Sequence, residues 1–361
     1  MIAISYPSIP KYWQAHLNEK IERIQTLQKA LGNNGFSFGM ITDLHWSHNA
    51  QNSPAILTKI LTECNISYFF NGGDTVASAP YCDKEFIRSE FVSYEKAFQP
   101  IMNKCLMTIG NHDGVYSILP PPHSYRQNLT KAERFEYFFR TGTQYNNRIF
   151  GEDYTYFYVD ETEKKVRYIV LNTHDVPSDE IDENGYAKYN TFGHFCIRQT
   201  QLSWLAHVAL NVPSKEWSVV LCSHENATVL KPYHKTRNHS LILGIIDAFR
   251  RKKAFHGETD FDDQPYYSAK IDVDFTQGGG NFIAWIAGHE HVDRILSEDG
   301  IISVCTRTDS CKNANGVIPP HELGTITEQA FDIFTVDKKR NKVYVTRVGF
   351  GEDRQFDFQT F

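Results

Sequence analysis

The stretch TIGNHDG, residues 108–114, places an amide, an imidazole and a carboxylate side by side between two glycines. It directly follows the apolar residues Cys105, Leu106 and Met107, which favour a buried strand. Loops rich in Gly, Asn and Asp are commonly plain turns. The meaning of this stretch therefore depends on what the chain places at the ends of its other strands.

Five polar segments of this kind occur along the chain, and each one follows an apolar run. Along an extended segment, residues i and i+2 point to the same side, so spacings such as DxH and HxH present two donors in one direction. The glycines that precede three of the segments permit sharp turns and close backbone approach. The segments are Asp43-Leu44-His45, Gly73-Asp74, Gly110-Asn111-His112-Asp113, Ser223-His224 and Gly288-His289-Glu290-His291.

The donors in these segments are oxygens and imidazoles, with no thiolate among them. A single histidine at a strand end is usually an ordinary loop residue. Five such segments at successive strand ends instead favour a metal site. Mixed carboxylate, amide and imidazole donors suit manganese, iron(II) or zinc better than soft copper(I).

Helical and strand patterns alternate along the chain. Residues 12–31 carry apolar side chains at spacings of three and four and end at Gly32, which predicts an amphipathic helix. The tail at 331–350 alternates like a β-hairpin that turns at 338–341. Alternating strands and helices indicate an α/β fold with working residues beyond the strand ends.

The 361 residues are enough for one large domain or two average ones. Two intervals, near 114–154 and 226–281, lack the regular alternation of strands and helices. We expect a single domain over residues 1–361, with these intervals as insertions near the site and the hairpin at its carboxyl end.

The net charge of −6 does not favour a general affinity for nucleic acid, whose phosphates attract basic surfaces. Seven cysteines without a CxxC pair indicate reduced thiols rather than a disulfide framework. Neither a secretory signal nor a run of about 18 apolar residues is visible. We therefore expect a cytoplasmic protein that does not bind membranes.

The five segments, in this order, resemble the pattern of the calcineurin-like metallophosphoesterases: DxH, GD, GNH(D/E), H and GHxH. QLSWL at 201–205 also resembles a helix common in the phosphodiesterase and purple acid phosphatase branches of that family. The resemblance implies an α/β fold in which two mixed β-sheets pack as a sandwich flanked by helices. It places a dimetal site at the carboxyl ends of the strands.

The resemblance also implies a role for each matching residue. His112 would face the substrate, as a general acid or as a group that stabilises phosphoryl charge, and Asp113 would orient or polarise it. Two divalent ions, manganese, iron or zinc, would be the cofactors. Asp43, His45 and His291 would hold one ion, Asn111, His224 and His289 would hold the other, and Asp74 would bridge the two.

The implied reaction is hydrolysis of a phosphomonoester or phosphodiester by a hydroxide that bridges the metals. Two cations roughly 3.5–4 Å apart neutralise the phosphate oxygens and lower the pKa of water, so no protein nucleophile is needed. The chain contains no GxSxG, Walker or GxGxxG motif. Ala77 stands where purple acid phosphatases carry a metal-binding Tyr, so an iron(III) site of that type is not expected.

Three further histidines are candidates for contacting the substrate. His48 lies five residues after Asp43, His174 ends another apolar run, and His234 belongs to a basic cluster at 231–239. For His48 and His234 the alternative is an ordinary, solvated loop position. For His174 the alternative is a residue that supports the site from behind.

We expect a small phosphate ester as the substrate and no obligate protein partner. A nuclease is the main alternative, although a basic groove is not evident outside residues 231–253. A scaffold that keeps the fold without catalysis is a further alternative. Such relatives usually lose metal ligands, whereas every ligand position and His112 are intact here.

Overall fold

The computed structural model describes most of the chain. The described residues are 9–46, 52–77, 83–114, 129–145, 147–183, 188–189, 194–230, 236–261, 265–310, 312–313, 316–317 and 321–361.

Most of the helices alternate with strands along the chain. Two of them continue into single π-helical turns, at Phe135–Phe139 and Leu205–Ala209. The α-helices are α1 (Gln14–Leu31), α2 (Ser53–Glu63), α3 (Lys84–Phe98), α4 (Lys131–Arg134), α5 (Arg140–Thr143), α6 (Gln199–Trp204) and α7 (His239–Arg251).

The strands are short, and most of them join one of two large sheets. Their bounds are β1 (Gly35–Ile41), β2 (Phe69–Asn71), β3 (Cys105–Met107), β4 (Arg148–Phe150), β5 (Phe157–Glu161), β6 (Val166–Val170), β7 (Ser218–Cys222), β8 (Ala254–Thr259), β9 (Ala269–Asp274), β10 (Asn281–Ala287), β11 (Arg294–Glu298), β12 (Ile301–Cys305), β13 (Lys312–Asn313), β14 (Gly316–Val317), β15 (Ala330–Asp337), β16 (Lys342–Gly349) and β17 (Arg354–Asp357).

The first sheet has six strands in the order β17-β16-β15-β1-β2-β3. Strands β1, β2 and β3 are parallel, while β15 pairs antiparallel with β1. The second sheet has seven strands in the order β11-β12-β10-β7-β6-β5-β4, with a parallel centre of β6, β7, β10 and β12. Both sheets are therefore mixed, and each has parallel strands whose carboxyl ends share one edge.

The two sheets pack face to face through a continuous apolar core. Phe38 of β1 lies 5.1 Å from the ring of Phe334 in its own sheet and 5.7 Å from the ring of Tyr168 in the other sheet. Helices α1, α2 and α3 add apolar side chains to the same core. The prediction of two mixed sheets packed as a sandwich and flanked by helices is confirmed.

The second sheet is buried on both faces. Successive residues of β6 alternate between two cores: Tyr168 faces the first sheet, and Ile169 packs with Ile245 and Phe249 of α7. This burial explains why its central strands read as continuous apolar runs rather than as alternating ones. The edge at which β6, β7 and β10 end is thereby held rigidly.

The chain segments near 114–154 and 226–281 contain their own elements. The first includes α4, α5 and β4, and β4 extends the second sheet through β5. The second includes α7 and the antiparallel pair β8–β9. Near the carboxyl end, β15 and β16 pair on either side of residues 338–341.

Cys64, Cys105, Cys196, Cys222 and Cys305 are buried and unpaired. Among the described residues, no helix has the length and apolar character needed to cross a bilayer.

Candidate metal centre

The polar segments lie just beyond the carboxyl ends of parallel strands from both sheets. In the first sheet, β1 leads to Asp43 and His45, β2 to Asp74, and β3 to the loop of Asn111. In the second sheet, β7 leads to His224 and β10 to His289 and His291. Because the sheets are packed together, these ends meet at one edge of the sandwich.

The first group of donors consists of Asp43, His45, Asp74 and His291, whose ligand atoms all lie within 4.8 Å of one another. His45 Nε2 lies 3.3 Å from His291 Nε2, and His291 Nε2 lies 3.1 Å from Asp43 Oδ1. The side chains of Asp43 and Asp74 are almost fully buried.

The second group consists of Asp74, His224 and His289, joined by the amide oxygen of Asn111. Asn111 Oδ1 lies 3.0 Å from His224 Nε2 and 2.8 Å from His289 Nδ1. His224 Nε2 lies 3.3 Å from Asp74 Oδ2. Asp74 is thus common to both groups, as a bridging ligand would be.

The two carboxylates are held in the same way. One oxygen of Asp43, Oδ2, accepts hydrogen bonds from the Thr42 hydroxyl and the His289 amide, which leaves Oδ1 directed at His291. Asp74 Oδ1 accepts the His112 amide at 2.7 Å, which leaves Oδ2 directed at His224. Each carboxylate is therefore anchored by one oxygen and offers the other to the donor groups.

The donor set fits divalent cations. His224 Nδ1 donates to the Gly72 carbonyl at 2.7 Å, so the other ring nitrogen, Nε2, is the one aimed at the acceptor oxygens of Asp74 and Asn111. Ligands on a cation with bonds of about 2.1 Å lie roughly 3.0–3.4 Å apart, close to the distances between these donors. A cation at the centre of each group would be coordinated by the nitrogen and oxygen donor atoms that otherwise face one another.

The pKa directions agree with a site built for positive charge. Burial lowers the pKa of His45 and of His289 to about 3, so both imidazoles are neutral and able to act as ligands. Burial alone would lower the pKa of His224 as well, but the Asp74 and Glu225 carboxylates outweigh it and raise that pKa well above its usual range. The negative charge of these carboxylates, which favours a proton on His224, would likewise favour a metal cation at this position.

The backbone of the site is strained. Five donor residues have positive φ values, a conformation that is uncommon for residues other than glycine. Such strain persists only where the surrounding structure enforces it, and it is concentrated at functional sites. The five are Asp43 (φ 52°), His45 (φ 42°), Asp74 (φ 50°), His289 (φ 70°) and His291 (φ 55°).

His112 lies beside both groups and is partly open to solvent. Its Nε2 is 3.9 Å from Asp74 Oδ2, and its ring centroid is 4.7 Å from that of His45. About a quarter of the side chain is exposed, whereas Asp43, Asp74 and His224 are buried; the donor His291 is exposed to a similar degree as His112. The imidazole is therefore placed where it can reach a group bound over the donors.

Asp113 is positioned differently from the prediction. Its Oδ1 accepts the Val76 amide at 3.0 Å, and its Oδ2 accepts the Gly110 amide at 2.8 Å. Both oxygens hold the backbone of the two adjoining loops, rather than the His112 imidazole. Burial raises the pKa of Asp113 to about 7, with Asp74 adding to the rise. Any effect of Asp113 on the orientation of His112 would therefore act through the loop.

His174 is placed as its alternative interpretation expected, and not as a residue that contacts the substrate. Its side chain is fully buried, its ring lies 5.9 Å from that of His224, and its Nε2 lies 3.0 Å from Glu225 Oε1. It therefore packs against the buried side of the second group, next to Glu225, instead of facing a substrate. His48 and His234 lie outside the described residues.

Glu225 is a buried residue of the site that the sequence patterns did not single out. It directly follows His224, and its Oε1 lies 3.8 Å from His289 Nδ1. Its position immediately after a donor at a strand end is a signal that was available in the sequence.

The fold and the shared-aspartate donor set together define a metallophosphoesterase. The match to the family model described as calcineurin-like phosphoesterase extends over residues 36–293 and includes all five polar segments. The chain belongs to the calcineurin-like phosphoesterase family, which confirms the resemblance seen in its motifs.

One solved structure shows the same architecture at low sequence identity, and two others match with lower TM-scores. A dimetal phosphatase from Danio rerio is 12% identical, with a TM-score of 0.59 over 90% of this chain and 99% of that one. GAP50, the anchor in the inner membrane complex of Plasmodium, is 8% identical, with a TM-score of 0.47 over 91% and 89% of the two chains. Phosphopantetheinyl hydrolase from Mycobacterium tuberculosis is 14% identical, with a TM-score of 0.34 over 76% and 91%. No curated protein matches the chain at a significant level.

Proposed function

We propose that this protein hydrolyses small phosphate esters with the help of two divalent metal ions, manganese, iron or zinc. The observation that carries the proposal is the position of Asp74, whose carboxylate belongs to both donor groups at once. A single buried carboxylate between two sets of imidazoles is the arrangement that a pair of adjacent cations requires. Membership of a phosphoesterase family supports the same reaction class.

Each donor group would hold one ion. Asp43, His45 and His291 would bind the first, and Asn111, His224 and His289 would bind the second. Two such cations neutralise phosphate oxygens and lower the pKa of bound water from 15.7 toward about 7. The chain's own contribution is to fix the donors on rigid strand ends and to supply the bridging Asp74.

His112 would act on the substrate. Its side chain is partly exposed, and its Nε2 lies 3.9 Å from Asp74 Oδ2. From there the imidazolium can donate a proton to the oxygen of the leaving group or stabilise charge on the phosphoryl group. The Gly110 and Val76 amides, bound by Asp113, would keep the His112 loop in register with the donors.

The proposal is tested by measuring hydrolysis of a nitrophenyl phosphomonoester and a bis-nitrophenyl phosphodiester side by side. The protein is stripped with a chelator and then supplied with manganese. Turnover that depends on manganese supports the proposal, and the ratio of the two rates assigns monoester or diester chemistry. Full activity in the chelated protein would contradict it, and cleavage of DNA or RNA in place of both small esters would assign a nuclease.

A further inference from the structure

Glu225 lies against the second donor group without having been assigned to it. Its side chain is fully buried. Its Oε1 lies 3.8 Å from His289 Nδ1 and 3.9 Å from His224 Nε2, the same nitrogens that face Asn111. The carboxylate therefore borders the position that the second cation would take.

The two oxygens of Glu225 have different surroundings. Oε2 accepts a hydrogen bond from the Thr173 hydroxyl. Oε1 has no hydrogen-bond partner among the described residues, although His174 Nε2 lies 3.0 Å away. Burying a charged oxygen is costly unless it is paired, so a cation beside this atom would add to the stabilisation that His174 gives it.

The same arrangement is found at the two carboxylates that the donor groups already include. Asp43 and Asp74 each have one oxygen anchored by a hydrogen bond, while the other is directed at an imidazole of the site. Glu225 repeats this pattern, with Thr173 as its anchor. Its Oε1 pairs with His174 at 3.0 Å and lies 3.8 and 3.9 Å from the donor nitrogens of His289 and His224, so this oxygen is also placed to act as a metal ligand.

The difference in charge between the two donor groups also favours Glu225 as a metal ligand. The first group has Asp43 in addition to the shared Asp74, whereas the second group has only the shared carboxylate together with neutral donors. Two divalent cations would therefore be unevenly neutralised. A carboxylate at Glu225 gives the second position an anion of its own and leaves the pair with a single excess positive charge.

We propose that Glu225 is the carboxylate of the second metal position, as Asp43 is of the first. The proposal rests on the function proposed above, because it requires the metal pair. Glu225 raises the affinity of the second position and favours hard cations that prefer oxygen, such as manganese, over softer ones. His174 and Thr173 are positioning residues that hold the carboxylate in place.

The test measures metal binding instead of activity. The metal-free protein is titrated calorimetrically with Mn²⁺, and separately with Co²⁺ while its visible absorption is recorded. Glu225→Gln keeps the shape of the side chain and removes its charge. We expect it to weaken one of the two binding steps by about 10- to 100-fold, to change the Co²⁺ spectrum of that step, and to leave the other step intact.

Glu328→Gln is the matched control. Glu328 is also a buried glutamate, but its carboxylate bonds Tyr12 and Asn52, which lie outside the metal centre. We expect both binding steps of this variant to match those of the unmodified protein. A loss of the second step in both variants would indicate general destabilisation and would overturn the assignment of Glu225.

The remaining outcomes separate the two proposals. If the unmodified protein binds two ions and Glu225→Gln binds them with the same affinities and spectra, Glu225 is not a donor. If the unmodified protein binds no ion, the proposed function itself fails. Should Glu225→Gln not fold, Glu225→Asp keeps the charge but withdraws it by one methylene. It should weaken the second step, and an unchanged second step would overturn the proposal.

Discussion

Asp74 and His224 come from different sheets, yet His224 Nε2 lies 3.3 Å from Asp74 Oδ2. Asp74 follows β2 in the six-stranded sheet, and His224 follows β7 in the seven-stranded sheet. The packing between the sheets therefore sets the spacing of the donors. A rigid sandwich core is, for this reason, a requirement of the site.

Replacing Asp74 by Asn should remove the shared carboxylate while keeping its size. We expect loss of nearly all hydrolytic activity and of at least one bound ion, because neither group retains its common anion. Metal content and turnover of a nitrophenyl ester check this. Asp337→Asn is the control, since Asp337 is also buried but caps the turn between β15 and β16. Normal activity in Asp74→Asn would rule out a bridging role.

Replacing His112 by Asn should lower kcat by about 10²- to 10⁴-fold, as expected for removal of a general acid, with little change in metal content. The loss should be larger for esters with poor leaving groups, which need the proton most. His256→Asn is the control, because His256 is highly exposed and pairs with Asp272 on the β8–β9 hairpin. An unchanged kcat would contradict a role for His112.

Replacing Gly110 by Ala should disrupt the donors by steric overlap. An added Cβ would lie 2.5 Å from Asp74 N and 2.7 Å from His224 Cε1, so both segments would have to shift. We expect weaker metal binding and lower activity, measured by titration and turnover. At Gly278 an added Cβ would have no heavy atom within 4 Å, so Gly278→Ala is the matched control. Equal metal affinity in the two variants would contradict the close packing of the site.

Asp309 should make stability depend on pH. Burial raises its pKa from 3.8 to about 7. The folded protein therefore favours the protonated carboxyl, and the stability that this gives is present below about pH 4 and is lost as the pH rises to about 7. Asp309→Asn removes this loss. The difference between the free energy of unfolding of Asp309→Asn and that of the unmodified protein should therefore increase from pH 4 to pH 7, as measured by urea denaturation. A difference that does not vary with pH would show that burial does not shift this pKa.

Local patterns in the sequence predicted an α/β fold and a metal site at the strand ends, while the resemblance to a known family supplied the two-sheet sandwich and the two groups of donors. Each donor follows an apolar run, and parallel strands that end at one edge bring the residues after them together. The helix at 12–31 was predicted in the same way from its periodicity, and the structure has α1 at Gln14–Leu31.

Other features depend on packing between distant segments, which periodicity does not report. The hydrogen bond between Asp113 and the Val76 amide joins two loops, so the sequence could not show that the Asp113 oxygens are used by backbone groups. The burial of His174 likewise follows from the neighbouring parallel strands β6 and β7, whose register pairs Val170 with Cys222. That pairing is what brings His174 beside Glu225.

The central claim is that two metal ions bind side by side around Asp74. The most direct test is to count the manganese ions per chain in the loaded protein by elemental analysis and to record its electron paramagnetic resonance spectrum. We predict two ions per chain and a spectrum of two magnetically coupled Mn²⁺ ions. A single isolated Mn²⁺ signal, or no bound manganese, would contradict it.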